Sequence, residues 1–131
     1  MIKLSLPLPP SINHSHITTK SGKRIRSNTT IRYEESVGWY CFENDIGCHR
    51  YKDTKAHTKQ PLIKEKCYMD LWFYFPDKRR RDTHNCLKIL LDSLEGIIYE
   101  DDKMVLPRIQ DFQIDKKNPR VEIEIREKEV K

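Results

Sequence analysis

The segment from residue 67 to residue 94 limits the possible folds more than any other part of the chain. Its first nine residues, Cys67–Phe75, are mostly aromatic or aliphatic, which is typical of a central strand. After a charged turn, apolar residues recur at the helix period. Asp82 or Thr83 can cap this helix, and Gly96 can end it. A buried strand followed by an amphipathic helix predicts a helix packed on a sheet.

The rest of the chain is predicted to supply further strands and one further helix. Alternating apolar and polar residues predict strands over residues 2–8 and 121–126. A third strand, residues 104–114, is expected to be bent or interrupted at Pro107. Apolar residues three or four positions apart predict a helix between about residues 30 and 50. The predicted fold class is α/β: a two-layer domain in which a mixed sheet carries two main helices.

Length and composition fit one folded domain over residues 1–131. A chain of this length can bury a hydrophobic core without disulfides or a structural metal. Its 25 Lys and Arg residues exceed its 20 Asp and Glu residues, and the formal charge of +5 favours a polyanionic partner. We find no apolar stretch of membrane-spanning length and no signal-peptide pattern, so we expect a cytoplasmic protein.

The four cysteines are predicted to be reduced core thiols, and both tryptophans are predicted to lie in the core. These residues are Cys41, Cys48, Cys67, Cys86, Trp39 and Trp72. None of the cysteines has the paired CxxC spacing of a metal or redox motif, which favours reduced thiols. The alternative for Cys48 and His49 is a zinc site completed by distant partners.

One face of the predicted second helix carries a row of polar side chains. His84, Lys88 and Asp92 are spaced four residues apart and therefore project from one strip of the helix. Alone, this row could be a solvated stripe of ion pairs. The acidic turn Asp101–Asp102 follows closely enough to fold back toward Asp82. Carboxylates suit Mg²⁺, and a nearby lysine can stabilise charge on a phosphate, so these residues indicate a metal-dependent nuclease.

Two stretches of sequence carry a resemblance to a known family. Residues 80–94 and 99–102 resemble the signature of RusA-type Holliday junction resolvases, R-D-x-D-N-x-x-K-x-x-x-D-x-L followed by D-D. The turn Pro9-Pro10-Ser11-Ile12-Asn13 is similar to the P-P-S-x-N turn of that family. The resemblance implies a homodimer that binds four-way DNA junctions in recombination and repair and makes paired symmetric nicks with Mg²⁺ or Mn²⁺. Members are often prophage-encoded, which makes a phage role plausible.

The resemblance also implies roles for individual residues. The predicted catalytic residues are Asp82, His84, Lys88 and Asp102, and the predicted metal ligands are Asp82, His84, Asp101 and Asp102. Lys88 and Arg81 are expected to contact the region of the scissile phosphate. The supporting residues are Asn13, Asn85 and Asp92.

Basic segments flank this predicted site. Residues 13–29 and 52–66 are polar and lack apolar periodicity, so we expect loops that contact phosphates, although such charge also serves solubility. The cations predicted to bind DNA are Lys20, Lys23, Arg24, Arg26, Arg79, Arg80 and Arg81.

His84 departs from the family pattern, because it stands where the family has its second aspartate. A neutral imidazole in place of a carboxylate suits Mn²⁺ better than Mg²⁺, so we expect a preference for Mn²⁺. One alternative is that catalysis has been lost and the protein only binds junctions or single-stranded DNA. Another is a less selective nuclease that acts on branched DNA or RNA.

Overall fold

The structure is a computed structural model that describes residues 1–10, 16–47, 63–79 and 82–128, with His16 described for its backbone only. Its elements are β1 (Ile2–Leu6), β2 (His16–Thr18), β3 (Arg24–Arg26), α1 (Asn28–Glu43), β4 (Cys67–Phe75), α2 (Thr83–Leu94), β5 (Val105–Ile114) and β6 (Arg120–Glu127). The main sheet has the order β1-β6-β4-β5. Strands β4 and β5 are parallel, whereas β6 is antiparallel to both β1 and β4. The predicted fold class, two helices packed on a mixed sheet, is therefore confirmed.

Strand β4 is the centre of the core. It pairs with β5 on one side and with β6 on the other, so its ladder hydrogen bonds are made within the sheet. Its residues alternate between fully buried and half-buried along all nine positions. The buried face, which includes Met69, Leu71 and Phe73, packs in one hydrophobic cluster with residues from both helices. This single apolar face accounts for the two-layer arrangement.

Helix α2 has the bounds that its sequence predicts. The Asp82 side chain caps it by accepting a hydrogen bond from the backbone N–H of His84 at 2.9 Å. The helix ends at Leu94, and Gly96 follows it with a positive φ of 82°. Leu90 and Leu94 are fully buried, so the apolar side of α2 faces the sheet.

Helix α1 begins near its predicted start but ends at Glu43, well before residue 50. Val37 and Cys41 lie on its buried side, as expected of a helix packed on a sheet. Trp39 follows Val37 by two positions, which rotates it about 200° around the helix axis and away from the core. The indole is 50% exposed, so the prediction that Trp39 is a core residue is wrong.

Three of the four cysteines are buried thiols, as predicted: Cys41, Cys67 and Cys86. Cys48 and His49, the alternative zinc residues, lie outside the described residues.

The basic segment expected to be a loop contains a two-stranded hairpin. Strands β2 and β3 pair antiparallel, with Ile17 opposite Ile25. Two hydrogen bonds close their turn: the Thr19 N–H donates to the Lys23 carbonyl, and the Lys23 N–H donates to the Thr19 hydroxyl. Gly22 adopts the positive φ that the turn requires. These strands are three residues long and exposed, so no apolar periodicity reveals them.

Strand β5 is continuous through Pro107, contrary to the predicted bend or break. It lies at the edge of the sheet, where a residue without an N–H can face the free side. The irregularity is a bulge at Gln110 instead: Leu71 pairs with Ile109, and Trp72 pairs with Asp111. Phe112 is 65% exposed, so the end of β5 is little covered.

Among the described residues, no helix combines the length and the apolar character needed to cross a membrane.

Two loop glycines, Gly22 and Gly47, provide a test of how closely the loop after α1 packs against the loop after α2. Both have positive φ, but a Cβ at Gly22 meets nothing within 4 Å, whereas a Cβ at Gly47 would overlap the backbone carbonyl of Ile97. We expect Gly22→Ala to lower the free energy of unfolding by about 1 kcal/mol through backbone strain alone. Gly47→Ala adds steric overlap and should cost at least about 3 kcal/mol. Urea denaturation of both variants measures the difference, and equal costs would contradict the packing of Gly47 against Ile97.

Candidate active site

Lys88 on helix α2 lies between two carboxylates. Its Nζ donates to Asp92 Oδ1 at 3.0 Å, one helical turn away, and to Asp102 Oδ2 at 2.9 Å. The first contact follows from the four-residue spacing along the helix. The second joins α2 to the acidic turn before β5, 14 residues further along the chain. The structure therefore brings together three residues of the predicted site.

A buried tyrosine fixes the acidic turn against α2. Tyr99 is fully buried, and its hydroxyl donates to the backbone carbonyl of Leu91. The turn that leads to Tyr99 is tight, because Gly96 N–H donates to the Tyr99 carbonyl at 2.8 Å. Beyond Tyr99, Asp101 caps a short 3₁₀ helix, Asp102–Met104, by accepting from the backbone N–H of Lys103. These contacts place Asp102 beside the side chains of α2.

Glu95 is the third carboxylate of this site and was missed in the sequence. Its Oε1 accepts a hydrogen bond from the backbone N–H of Asp102 at 3.3 Å. Among the described residues, the one group of three or more potential metal ligands with atoms within 4.8 Å of one another is Asp92, Glu95 and Asp102. We call this group the acidic cluster. Glu95 follows the last residue of α2 in an extended conformation, so helical spacing from Asp92 does not place it, and no local sequence pattern identifies it.

The charges of the cluster and of Lys88 shift each other's proton affinities. The hydrogen bond from Lys88 holds the pKa of Asp102 below its usual range. The bonds to Asp102 and Asp92 raise the pKa of Lys88 well above its usual range. Burial is the main cause that raises the pKa of the Tyr99 phenol. At neutral pH, Lys88 is therefore a cation and Asp102 an anion, and Tyr99 is a structural hydrogen-bond donor.

Asp82 and His84 lie at the other end of the strip and contact each other. His84 Nδ1 is 3.2 Å from Asp82 Oδ1, and both side chains are more than half exposed. The hydrogen bond from the His84 backbone is the main cause that lowers the pKa of Asp82. The structure does not bring these two side chains into the acidic cluster. It places them at the start of α2, where His84 lines a groove of about 540 Å³ together with Leu87, Ile109 and Phe112.

The remaining predicted residues have varied positions. Asn85 is half-buried on α2, Asp101 caps the turn, and Arg79 is exposed before α2. The hairpin carries four of the predicted DNA-binding cations, all of them exposed: Lys20, Lys23, Arg24 and Arg26. Asn13, Arg80 and Arg81 lie outside the described residues.

The acidic cluster fits a hard divalent cation. All three side chains offer carboxylate oxygens, which Mg²⁺ and Mn²⁺ accept as ligands. Lys88 neutralises one of the three formal negative charges, so an excess remains for a cation to balance. Half-buried carboxylates held this close together repel one another unless a cation lies near them.

Comparison with protein families identifies an endodeoxyribonuclease. Residues 7–126 match the family described as Endodeoxyribonuclease RusA, which is nearly the whole chain. The chain belongs to this family. Comparison with curated proteins gave no match.

The Lys88–Asp102 contact predicts how stability depends on pH. Because the pKa of Asp102 is lowered in the folded state, the contact stabilises the fold above the ordinary Asp pKa of about 3.9 and is lost as pH falls through the lowered value. Lys88→Met should therefore reduce the loss of stability on acidification. Urea denaturation between neutral pH and about pH 2 measures this. Lys3→Met is the matched control, since Lys3 forms only an exposed pair with Glu124 at 3.7 Å. The same pH dependence in Lys88→Met and the wild type would contradict the assignment.

Proposed function

We propose that this chain is a divalent-metal-dependent crossover junction endodeoxyribonuclease that resolves four-way DNA junctions by paired symmetric nicks. It is proposed to act as a single domain and a homodimer in the cytoplasm, in recombination and repair, and prophage origin is proposed from the resemblance to its family. The observation that carries the proposal is Lys88 held between two carboxylates of the acidic cluster, in a chain of an endodeoxyribonuclease family.

The acidic cluster is proposed to hold the metal. Asp92, Glu95 and Asp102 supply oxygen ligands from the end of α2 and from the acidic turn. Asp102 belongs both to this cluster and to the ligands predicted from the sequence. Asp82 and His84, at the exposed start of α2, and Asp101, in the acidic turn, stay proposed members of the site. When bound, Mg²⁺ or Mn²⁺ supplies polarisation of the scissile phosphate and activation of the attacking water.

Lys88 is proposed to act through its charge. The hydrogen bonds to Asp102 and Asp92 raise its pKa, which favours the protonated ammonium and a role as a cation. The two carboxylates fix its Nζ at the edge of the cluster, where it can stabilise negative charge that develops on the phosphate oxygens. The exposed hairpin cations are proposed to bind the adjoining backbone phosphates.

Cleavage of a labelled synthetic four-way junction tests this function. Wild type, Asp82→Asn and Asp102→Asn are each incubated with Mg²⁺, Mn²⁺ or EDTA, and Glu43→Gln serves as a control for the loss of an exposed carboxylate. We expect paired nicks that require metal, and a loss of at least about 100-fold in both aspartate variants. Flaps, duplex DNA and RNA run in parallel measure selectivity. Tight junction binding without nicks in either metal would instead make the chain a binding protein.

The histidine at position 84 leads to a prediction about which metal ion supports faster cleavage. An imidazole ligand suits Mn²⁺ better than Mg²⁺, so the wild type should cleave faster in Mn²⁺. His84→Asp restores a carboxylate at the position and should lower the ratio of the Mn²⁺ rate to the Mg²⁺ rate. Rates are compared at saturating concentrations of each metal. Equal or faster wild-type cleavage in Mg²⁺ would contradict a role for His84 in metal choice.

A further inference from the structure

The acidic cluster forms one wall of a cleft, and residues from other elements form the opposite wall. The cleft has a volume of about 650 Å³ and is lined by Arg26, Glu34, Asp92, Glu95 and Gly96. Two of these residues belong to the acidic cluster, while Arg26 and Glu34 come from the hairpin and from helix α1. A volume of this size is in the usual range of ligand pockets, roughly 300–1,000 Å³. The cleft therefore has one acidic wall and one wall that carries an arginine.

Glu34 holds the guanidinium of Arg26 in place. Nη1 of Arg26 donates to both carboxylate oxygens of Glu34, at 2.6 Å and 2.8 Å. The Glu34 side chain is 15% exposed, whereas that of Arg26 is 56% exposed. Both hydrogen bonds use Nη1, and toward the described residues Nη2 and Nε donate no hydrogen bond, so their N–H groups can bind an anion in the cleft. A guanidinium with donors left over in a fixed plane is well suited to bind a phosphate.

The backbone around Arg26 is also fixed. Arg26 is the last residue of β3 and precedes Ser27, the buried residue that caps α1 by accepting from the N–H of Thr30 at 3.3 Å. The hairpin and the helix therefore fix the position from which the side chain extends. Arg24, two residues earlier on the same strand, is exposed and does not line the cleft.

Glu34 has a further electrostatic consequence. Arg26 shares the cleft with Asp92 and Glu95, two carboxylates that attract a cation. Without Glu34, the flexible arginine side chain would turn toward them and compete with a metal ion for the cluster. With Glu34 in place, the charge of Arg26 is balanced on its own wall, and the acidic cluster keeps its affinity for the metal.

We propose that Glu34 is a positioning residue that holds Arg26 on the wall opposite the acidic cluster, and that Arg26 contacts the substrate phosphate bound in this cleft. This rests on the proposed nuclease function. Arg26 then differs from the other hairpin cations, because it acts on the phosphate at the site and not only on neighbouring ones. Glu34 keeps the arginine available to the substrate and away from the metal ligands.

Binding of Mn²⁺ to the free, full-length protein tests the role of Glu34 without cleavage. Isothermal titration calorimetry compares the wild type, Glu34→Gln and the double variant Arg26→Gln/Glu34→Gln. We expect Glu34→Gln to weaken Mn²⁺ binding by about tenfold, because the released Arg26 pairs with Asp92 and Glu95. The double variant should return toward wild-type affinity. Wild-type affinity in folded Glu34→Gln, or equal weakening in both variants, would overturn the role of Glu34.

Junction cleavage at saturating protein tests the role of Arg26. Arg26→Gln should lower the single-turnover rate by about 100-fold, and Arg26→Lys by less, since lysine keeps the charge but not the planar donors. Arg32→Gln is the control: it removes the same charge from an exposed position of α1 that does not line the cleft, so it should leave the rate at saturation unchanged. Equal rates for Arg26→Gln and Arg32→Gln would overturn the proposed phosphate contact.

Different results would overturn the proposed nuclease function and the proposed roles of Arg26 and Glu34. A wild type that nicks no junction in either metal overturns the nuclease function and, with it, the contact of Arg26 with the substrate. The Mn²⁺ titration then still decides whether Glu34 protects the acidic cluster. A wild type that cleaves at the same rate as Arg26→Gln overturns the inference alone.

Discussion

The hydroxyl of Tyr99 donates to the carbonyl of Leu91, and the arrangement of the site depends on this buried contact. Along the chain, the acidic turn is separated from Lys88 by residues 89–94 of α2 and by the loop that follows this helix. Because Tyr99 is fully buried and bonded to α2, the residues after it must start next to that helix. The backbone N–H of Asp102 then reaches Glu95, and its carboxylate reaches Lys88. A hydrophobic anchor thus places charged groups that would otherwise separate.

Two cations, Lys88 and Arg26, lie near the acidic cluster. Lys88 lies within the acidic cluster and offsets part of its repulsion, while Arg26 faces the cluster from the other side of the cleft with Glu34 as its partner. Two carboxylates of the cluster therefore fix Lys88, whereas a carboxylate outside the cluster fixes Arg26. Pairs of this kind contribute little to stability when exposed, so their main effect here is to fix where positive charge lies relative to the metal ligands.

The sequence predicts the helices and strands that have a clear apolar pattern. It does not predict structure that depends on contacts between distant segments or on short, exposed strands. Strand β4 and helix α2 have the predicted bounds, because β4 is a nearly continuous aromatic and aliphatic run and the apolar residues of α2 recur at the helix period. The hairpin was missed, since its strands are short and exposed.

The same distinction applies to the site. Lys88 and Asp92 follow from helical spacing. The return of Asp102 to α2 was expected, but toward Asp82, whereas the observed contact is with Lys88. Glu95 joins the acidic cluster only because the turn folds back onto the end of α2, which no local pattern encodes. For the same reason, the sequence could not place Asp82 relative to the other carboxylates, or pair Arg26 with Glu34.

The bulge at Gln110 determines where strand β5 can change its length. Ile109 pairs with Leu71 on the core-facing side, and Phe112 pairs with Phe73 on that same side, although three positions separate the two residues along β5. A regular strand would place residues three apart on opposite faces. Deletion of Gln110 alone would therefore leave a regular strand in which Ile109 and Phe112 keep their partners, whereas deletion of one residue elsewhere in β5 would turn the side chains beyond it to the other face of the sheet. Among homologous chains, insertions and deletions within β5 are therefore expected at the bulge more often than at other positions of the strand.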